Sequence, residues 1–187
     1  MRVIVDFPAA EGRGPLGFAR PRAVLAAHRP EQVAPVLDAA QQAAAQGAWV
    51  VGMVAYEAAA AFDKALQVRP AMADLPLAVF AVYDEPSALT EIGGDFNCGS
   101  WVMEIDRRRF DADLAALQAD ILAGRFYQTN HTSRLRADFS GDAEALFRSL
   151  QTAQPGGYGF YMEDAAWQVL SVSPELFFDW RGDGVLT

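Results

Sequence analysis

Leu170-Ser-Val-Ser-Pro-Glu-Leu-Phe-Phe178 sets a single carboxylate, Glu175, inside an otherwise apolar, strand-like run. Desolvating a carboxylate is costly. An acid beside Leu176, Phe177 and Phe178 is therefore paired, or held protonated as a proton donor, or turned outward by the two-residue period of a strand while Leu176 and Phe178 face in. The first two readings make Glu175 a candidate for chemistry, and the third makes it a solvated side chain. Upstream, after Pro155-Gly156-Gly157, the runs Tyr158 to Met162 and Trp167 to Val172 read as a hairpin-like pair. Downstream, Glu175 to Trp180 reads as a further strand that reaches a turn at Arg181-Gly182-Asp183-Gly184, with another strand just begun at Thr187.

The remainder of the chain mixes short helices with strands. Arg2 to Phe7 reads as a strand and the Gly/Pro/Arg-rich stretch Glu11 to Arg22 as a loop. Pro30-Glu31 opens a helix running to about Gln46, which Gly47 terminates. Trp49 to Ala55 is a strand, Tyr56-Glu57 leads into an alanine-rich turn or short helix, and Leu75 to Tyr83 and Gly99 to Ile105 are further strands. Asp106 caps a second helix whose Phe110, Leu114, Leu117 and Ile121 recur at helical spacing up to Gly124. Asp142 caps a third, with Leu146, Phe147 and Leu150 on one face.

Composition narrows the function classes. At 187 residues and 52% apolar content the chain can bury roughly 70% of its unfolded surface, enough for one sizeable core or two small ones. No apolar run is long enough to span a membrane, and the amino terminus reaches Asp6 without the apolar core of a secretory signal, so the expected compartment is the cytoplasm. Cys98 is the only cysteine, which excludes an internal disulfide or a cysteine-based metal cluster. A formal charge of -9 argues against nucleic acid as partner, and the Arg107-Arg108-Arg109 cluster lies among Asp106, Asp111 and Asp113 as a solvated helix start would. His28 and His131 stand apart from any nucleophile pattern and read as surface or packing residues.

Five segments, in order and across nearly the whole chain, resemble the chorismate-utilising enzymes: Gly52-Met-Val-Ala-Tyr56-Glu57, Leu75-Pro-Leu-Ala-Val-Phe80, Gly124-Arg-Phe-Tyr-Gln-Thr-Asn130, Gln154-Pro-Gly-Gly-Tyr158 and Ser173-Pro-Glu-Leu-Phe177. The pattern is most similar to component I of the aminodeoxychorismate (para-aminobenzoate) synthases. Component I of the anthranilate synthases is the nearest rival, but its Leu-Leu-Glu-Ser motif near the amino terminus is absent here. A freestanding, non-catalytic ligand-binding module is a further alternative.

The resemblance implies an α+β fold in which antiparallel sheets pack face to face with helices outside. It implies amination of chorismate at C4 with ammonia from a glutamine amidotransferase subunit, in folate biosynthesis. Glu175 would then be the general acid that protonates the departing 4-hydroxyl, in an apolar setting that raises its pKa. The family's lysine, in a Pro-Ile-Lys-Gly-Thr motif, would begin just beyond Thr187, and the acids that hold its magnesium further on, since Lys64 is the only lysine here. On this reading residues 1–187 are the amino-terminal portion of one chorismate-binding enzyme, truncated before the catalytic lysine motif, inactive alone and prone to self-association through open sheet edges. In relatives the segments around Tyr127, Asn130, Pro155 and Tyr158 help line a tryptophan-type effector pocket, although this chain carries Thr129 and His131 where an apolar residue and leucine are usual.

Overall fold

A computed structural model describes residues 1–8, 14–89, 93–182 and 184–187, which divide into two compact units, one of Met1–Gly93 with Ala143–Thr187 and one of Gly94–Asp142. In the larger unit, β1 (Arg2–Asp6), β2 (Leu16–Ala19), β10 (Tyr158–Glu163) and β11 (Gln168–Ser173) form an antiparallel sheet in the order β11-β10-β1-β2. A second antiparallel sheet, in the order β3-β5-β4, consists of β3 (Ala23–Ala27), β4 (Trp49–Val54) and β5 (Ala78–Tyr83).

Strand alternation assembles these sheets into layers. Val3 of β1, Phe18 of β2 and Met162 of β10 meet Val79, Ala81 and Tyr83 of β5, so the two sheets pack face to face. The next residues along, Ile4 and Tyr161, point to the opposite face, where Ala143 and Phe147 of α4 (Ala143–Ala153) cover them. On the far side of the other sheet, Ala27 and Ala78 pack on Val33 of α1 (Pro30–Ala45) and on Ala58. Because β5 is covered on both faces, it reads as an unbroken apolar run, with only Phe80 of its residues short of full burial. The expected architecture, antiparallel sheets face to face with helices outside, is the one observed.

Local chemistry explains the element ends. Pro30 starts α1, where Gln32 Oε1 accepts from the backbone N–H groups of His28 (2.9 Å) and Arg29 (3.0 Å), and Gly47 at φ 87° ends it. The short stretch after β4 is a 3₁₀ turn, Tyr56–Ala58, followed by α2 (Ala59–Phe62). Helix α4 is tied to β1 by polar contacts as well as packing. Buried Glu144 pairs with Arg2 and, at 3.2 Å, with Arg148, while Gln151 Nε2 donates to Asp6 Oδ2 at 2.6 Å.

In the smaller unit, β6 (Phe96–Cys98) pairs with β9 (Phe139–Gly141), and β7 (Val102–Met103) with β8 (Leu135–Arg136). Between them runs α3 (Arg107–Leu122), whose N-terminus is capped by Asp106 Oδ1 accepting from the Arg109 N–H at 2.7 Å. Gly124 at φ 70° turns the chain out of the helix.

Several expected boundaries change. The stretch read as a loop contains β2, because Gly17 is a packing residue here: a Cβ on it would stand 2.7 Å from Leu89 Cδ2. Glu11, Gly12 and Arg13 of that loop, and Asp183 of the last turn, lie outside the described residues. Strands β3 and β6 form where no element is expected. The expected strand Gly99 to Ile105 is reduced to Val102–Met103, and Leu75 to Tyr83 to its last six residues, Ala78–Tyr83. The run Glu175 to Trp180 is not one strand: Pro174 interrupts the ladder, and pairing resumes only at β12 (Asp179–Arg181), which forms a hairpin with β13 (Gly184–Leu186).

Candidate functional site

Ser173, Pro174 and Glu175 form a bend where β11 ends. Pro174 has no N–H to offer a ladder, and the Ser173 hydroxyl closes the turn in its place, accepting from the Glu175 N–H (3.2 Å) and donating to the Glu175 carbonyl (2.9 Å). Glu175 is exposed on this bend, with Leu176 half-buried and Phe177 and Phe178 exposed. The expectation of an acid in an apolar strand therefore does not hold for the chain as described. The outward reading has the correct exposure, produced by a serine-proline bend and not by strand alternation.

The bend leads into a cleft of about 970 Å³ within the larger unit. It is lined by Leu176 and Phe178, by Trp180, Val185 and Leu186 of the β12–β13 hairpin, and by Phe7 and Tyr158. Register explains that last pair: Asp6 stands opposite Gly159, which brings Phe7, the residue after β1, beside Tyr158, and the two rings meet edge-on at 5.6 Å and 75°. The polar element of the lining is the Asp179–Arg181 pair, joined at 2.9 Å through Nε and 2.8 Å through Nη2. Such walls suit the stacking of a planar, apolar ring.

Of the four residues expected around an effector, Tyr158 lines this cleft. Pro155 is exposed in the turn before β10, where Gly156 adopts φ 76°. Tyr127, 91% exposed, and Asn130, also exposed, belong to the Gly94–Asp142 unit. Phe7, Trp180 and Arg181 were not anticipated. The Arg181-Gly182 turn signalled a hairpin, but nothing local to Phe7 announces its partner, which the β1–β10 register alone supplies. Among the described residues no three His, Cys, Asp or Glu side chains converge to hold a metal ion. No described helix is long and apolar enough to cross a membrane.

Curated relatives match this chain over part of its length. The anthranilate synthase component 1 of Saccharolobus solfataricus is 23% identical over 69% of this chain and 35% of its own length. The aminodeoxychorismate synthase component 1 of Klebsiella aerogenes is 27% identical over 56% of this chain and 25% of its own. The anthranilate synthase component 1 of Spirochaeta aurantia is 26% identical, with coverage of 63% and 26%. The chain thus spans about a quarter to a third of the length of the curated relatives it matches. The profile of the chorismate binding enzymes matches residues 87–187, more than half of the chain and the part that contains the serine-proline-glutamate bend and β12–β13, and the chain belongs to that family.

Proposed function

We propose that the chain is part of an aminodeoxychorismate synthase component I, a cytoplasmic enzyme that aminates chorismate at C4 with ammonia from a glutamine amidotransferase subunit. The carrying observation is the Ser173-Pro174-Glu175 bend within the family match, which is followed directly in the chain by Leu176, a lining residue of the aromatic-walled cleft. Glu175 donates a proton to the departing C4 oxygen. For that it must be desolvated. Since it is exposed in the described chain, the covering groups come from the bound ring or from residues outside this chain. The lysine and the magnesium ligands come from outside it as well. The resemblance assigns effector binding to Tyr127 and Asn130 in the smaller unit and to Pro155 and Tyr158 in the larger.

Anthranilate synthesis is the second reading, favoured by two of the three relatives bearing that name. The absence of Leu-Leu-Glu-Ser supports the para-aminobenzoate branch. The deciding experiment supplies the natural full-length protein with chorismate, ammonium and magnesium and identifies the product by chromatography. Aminodeoxychorismate supports the first reading, and anthranilate replaces it with the second.

A further inference from the structure

Helix α4 grips β1 at two points, and the contacts fall in the same order along both elements. Arg2, at the start of the strand, meets buried Glu144 in the first turn of the helix, and Asp6, at the strand's end, accepts from Gln151 Nε2 at 2.6 Å. Arg2 and Asp6 lie on one face of the strand about 13 Å apart, and Glu144 and Gln151 on one face of the helix about 10 Å apart, with Ile4 and Phe147 between them in one buried cluster. The second contact passes over Gly159, which stands opposite Asp6 in the ladder. A Cβ there would lie 2.7 Å from Gln151 Nε2, 3.2 Å from Phe147 Cζ and 3.3 Å from Asp6 Cβ, so the absent side chain leaves the amide its path to the carboxylate. Phe7 follows the last paired residue of β1, is 47% exposed, and lines the cleft against Tyr158, the residue before Gly159.

We propose that Gln151 and Asp6 are positioning residues for the cleft: the amide, carried by α4, holds the end of β1 so that Phe7 stands against Tyr158 before any ligand arrives. A hydrogen bond donated to a carboxylate is stronger than one between neutral groups, and this one joins two half-buried side chains. It acts on the last ladder residue, where a strand otherwise frays. A lining fixed in advance spares a ligand the cost of ordering it, whichever ring the cleft accepts.

Fluorine NMR of the natural full-length protein carrying 3-fluorotyrosine tests the assignment, with Tyr158→Phe and Tyr161→Phe identifying the two resonances. Phe7→Leu removes the ring beside Tyr158 and sets the displacement that a lost contact produces. Gln151→Ala, which keeps a good helix former on α4, should move the Tyr158 resonance most of that way. Asp6→Asn retains an acceptor oxygen for the amide and should leave the resonance near its parental position. Tyr161, whose ring lies 5.7 Å from that of Phe147, reports on the packing of α4 and should not move in Gln151→Ala. A Tyr158 resonance that stays in place in Gln151→Ala overturns the proposal, and so does one that Asp6→Asn displaces as far. An equal displacement of Tyr161 in Gln151→Ala overturns it as well, because Gln151 would then support the helix and not Phe7.

Discussion

Glu175 and Tyr83 are two polar groups in opposite circumstances, and each supports a distinct expectation. Glu175→Gln in the full-length enzyme keeps size and hydrogen-bonding capacity but removes the transferable proton, so kcat should fall about 10²- to 10⁴-fold while chorismate still binds. Near-normal turnover together with a lower melting temperature would assign Glu175 to structure alone. Tyr83 is 2% exposed between the two sheets, its hydroxyl without a partner among the described residues. Burial pushes its phenol up to about 12. The folded state thus disfavours ionisation relative to an unfolded tyrosine near 10, so this contribution to stability is complete below about pH 10 and is lost as pH rises towards 12. Tyr83→Phe removes the orphaned hydroxyl. It should be neutral or stabilising by up to about 1 kcal/mol at pH 8, with a larger advantage at pH 11, in urea titrations. Tyr161, also raised by burial and by Glu163, keeps part of the alkaline loss in the variant. A variant clearly less stable at pH 8 would show that the hydroxyl has a partner.

Among the elements, β4 and β5 depend on one missing side chain. Gly52 stands opposite Phe80, and a Cβ there would lie 2.1 Å from the Val79 carbonyl oxygen and 2.6 Å from Phe80 Cδ1. Backbone cannot yield as a flexible side chain can, so Gly52→Ala should cost about 2–4 kcal/mol, whereas Gly47→Ala, opposed by open space but at φ 87°, should cost about 1 kcal/mol. Thermal denaturation of both variants checks the ranking, and equal costs would refute the close-approach account. The same region shows what sequence made legible. Helices α1 and α3 were readable because Pro30, Gly47, Asp106 and Gly124 act locally, through fixed dihedrals or a side chain reaching a nearby N–H. Strand β5 was readable from its apolar run. Strand β2 was not, since Gly17 serves a contact with Leu89 seventy-two residues away and looks, locally, like a turn residue. At the site, the bend was marked by Ser173-Pro174-Glu175, but Glu175's exposure depends on a proline ending the ladder, and the cleft depends on β1 meeting β10 across more than a hundred residues. Pairings of that range leave no periodic trace in either partner.

For the whole chain, the question is what the larger unit does with its open surfaces. Its four-stranded sheet ends at β11 and at β2, the latter bridged at Gly17 by Ser87, and its three-stranded sheet ends at β3 and β4. Open edges can pair with other strands. Large apolar side chains stand near the cleft, with Phe177 87%, Trp180 70%, Val185 62% and Leu186 64% exposed. An apolar surface of this kind marks an interaction site or an association hazard. The 187-residue polypeptide alone should therefore form dimers or larger species at micromolar concentration in sedimentation velocity. Trp180→Lys and Val185→Lys, both on the exposed hairpin, should shift it towards monomer. The same preparation, given chorismate, ammonium and magnesium, should yield no aminodeoxychorismate and no anthranilate. Its sole lysine, Lys64, lies in the turn after α2, far in sequence from the Glu175 bend, and no described cluster can hold the metal. A monodisperse monomer would mean that the exposed hairpin is stable uncovered. Turnover by the isolated chain would mean that the chemistry runs on residues already present in it, and Glu175 would then have to act without the cover its role demands.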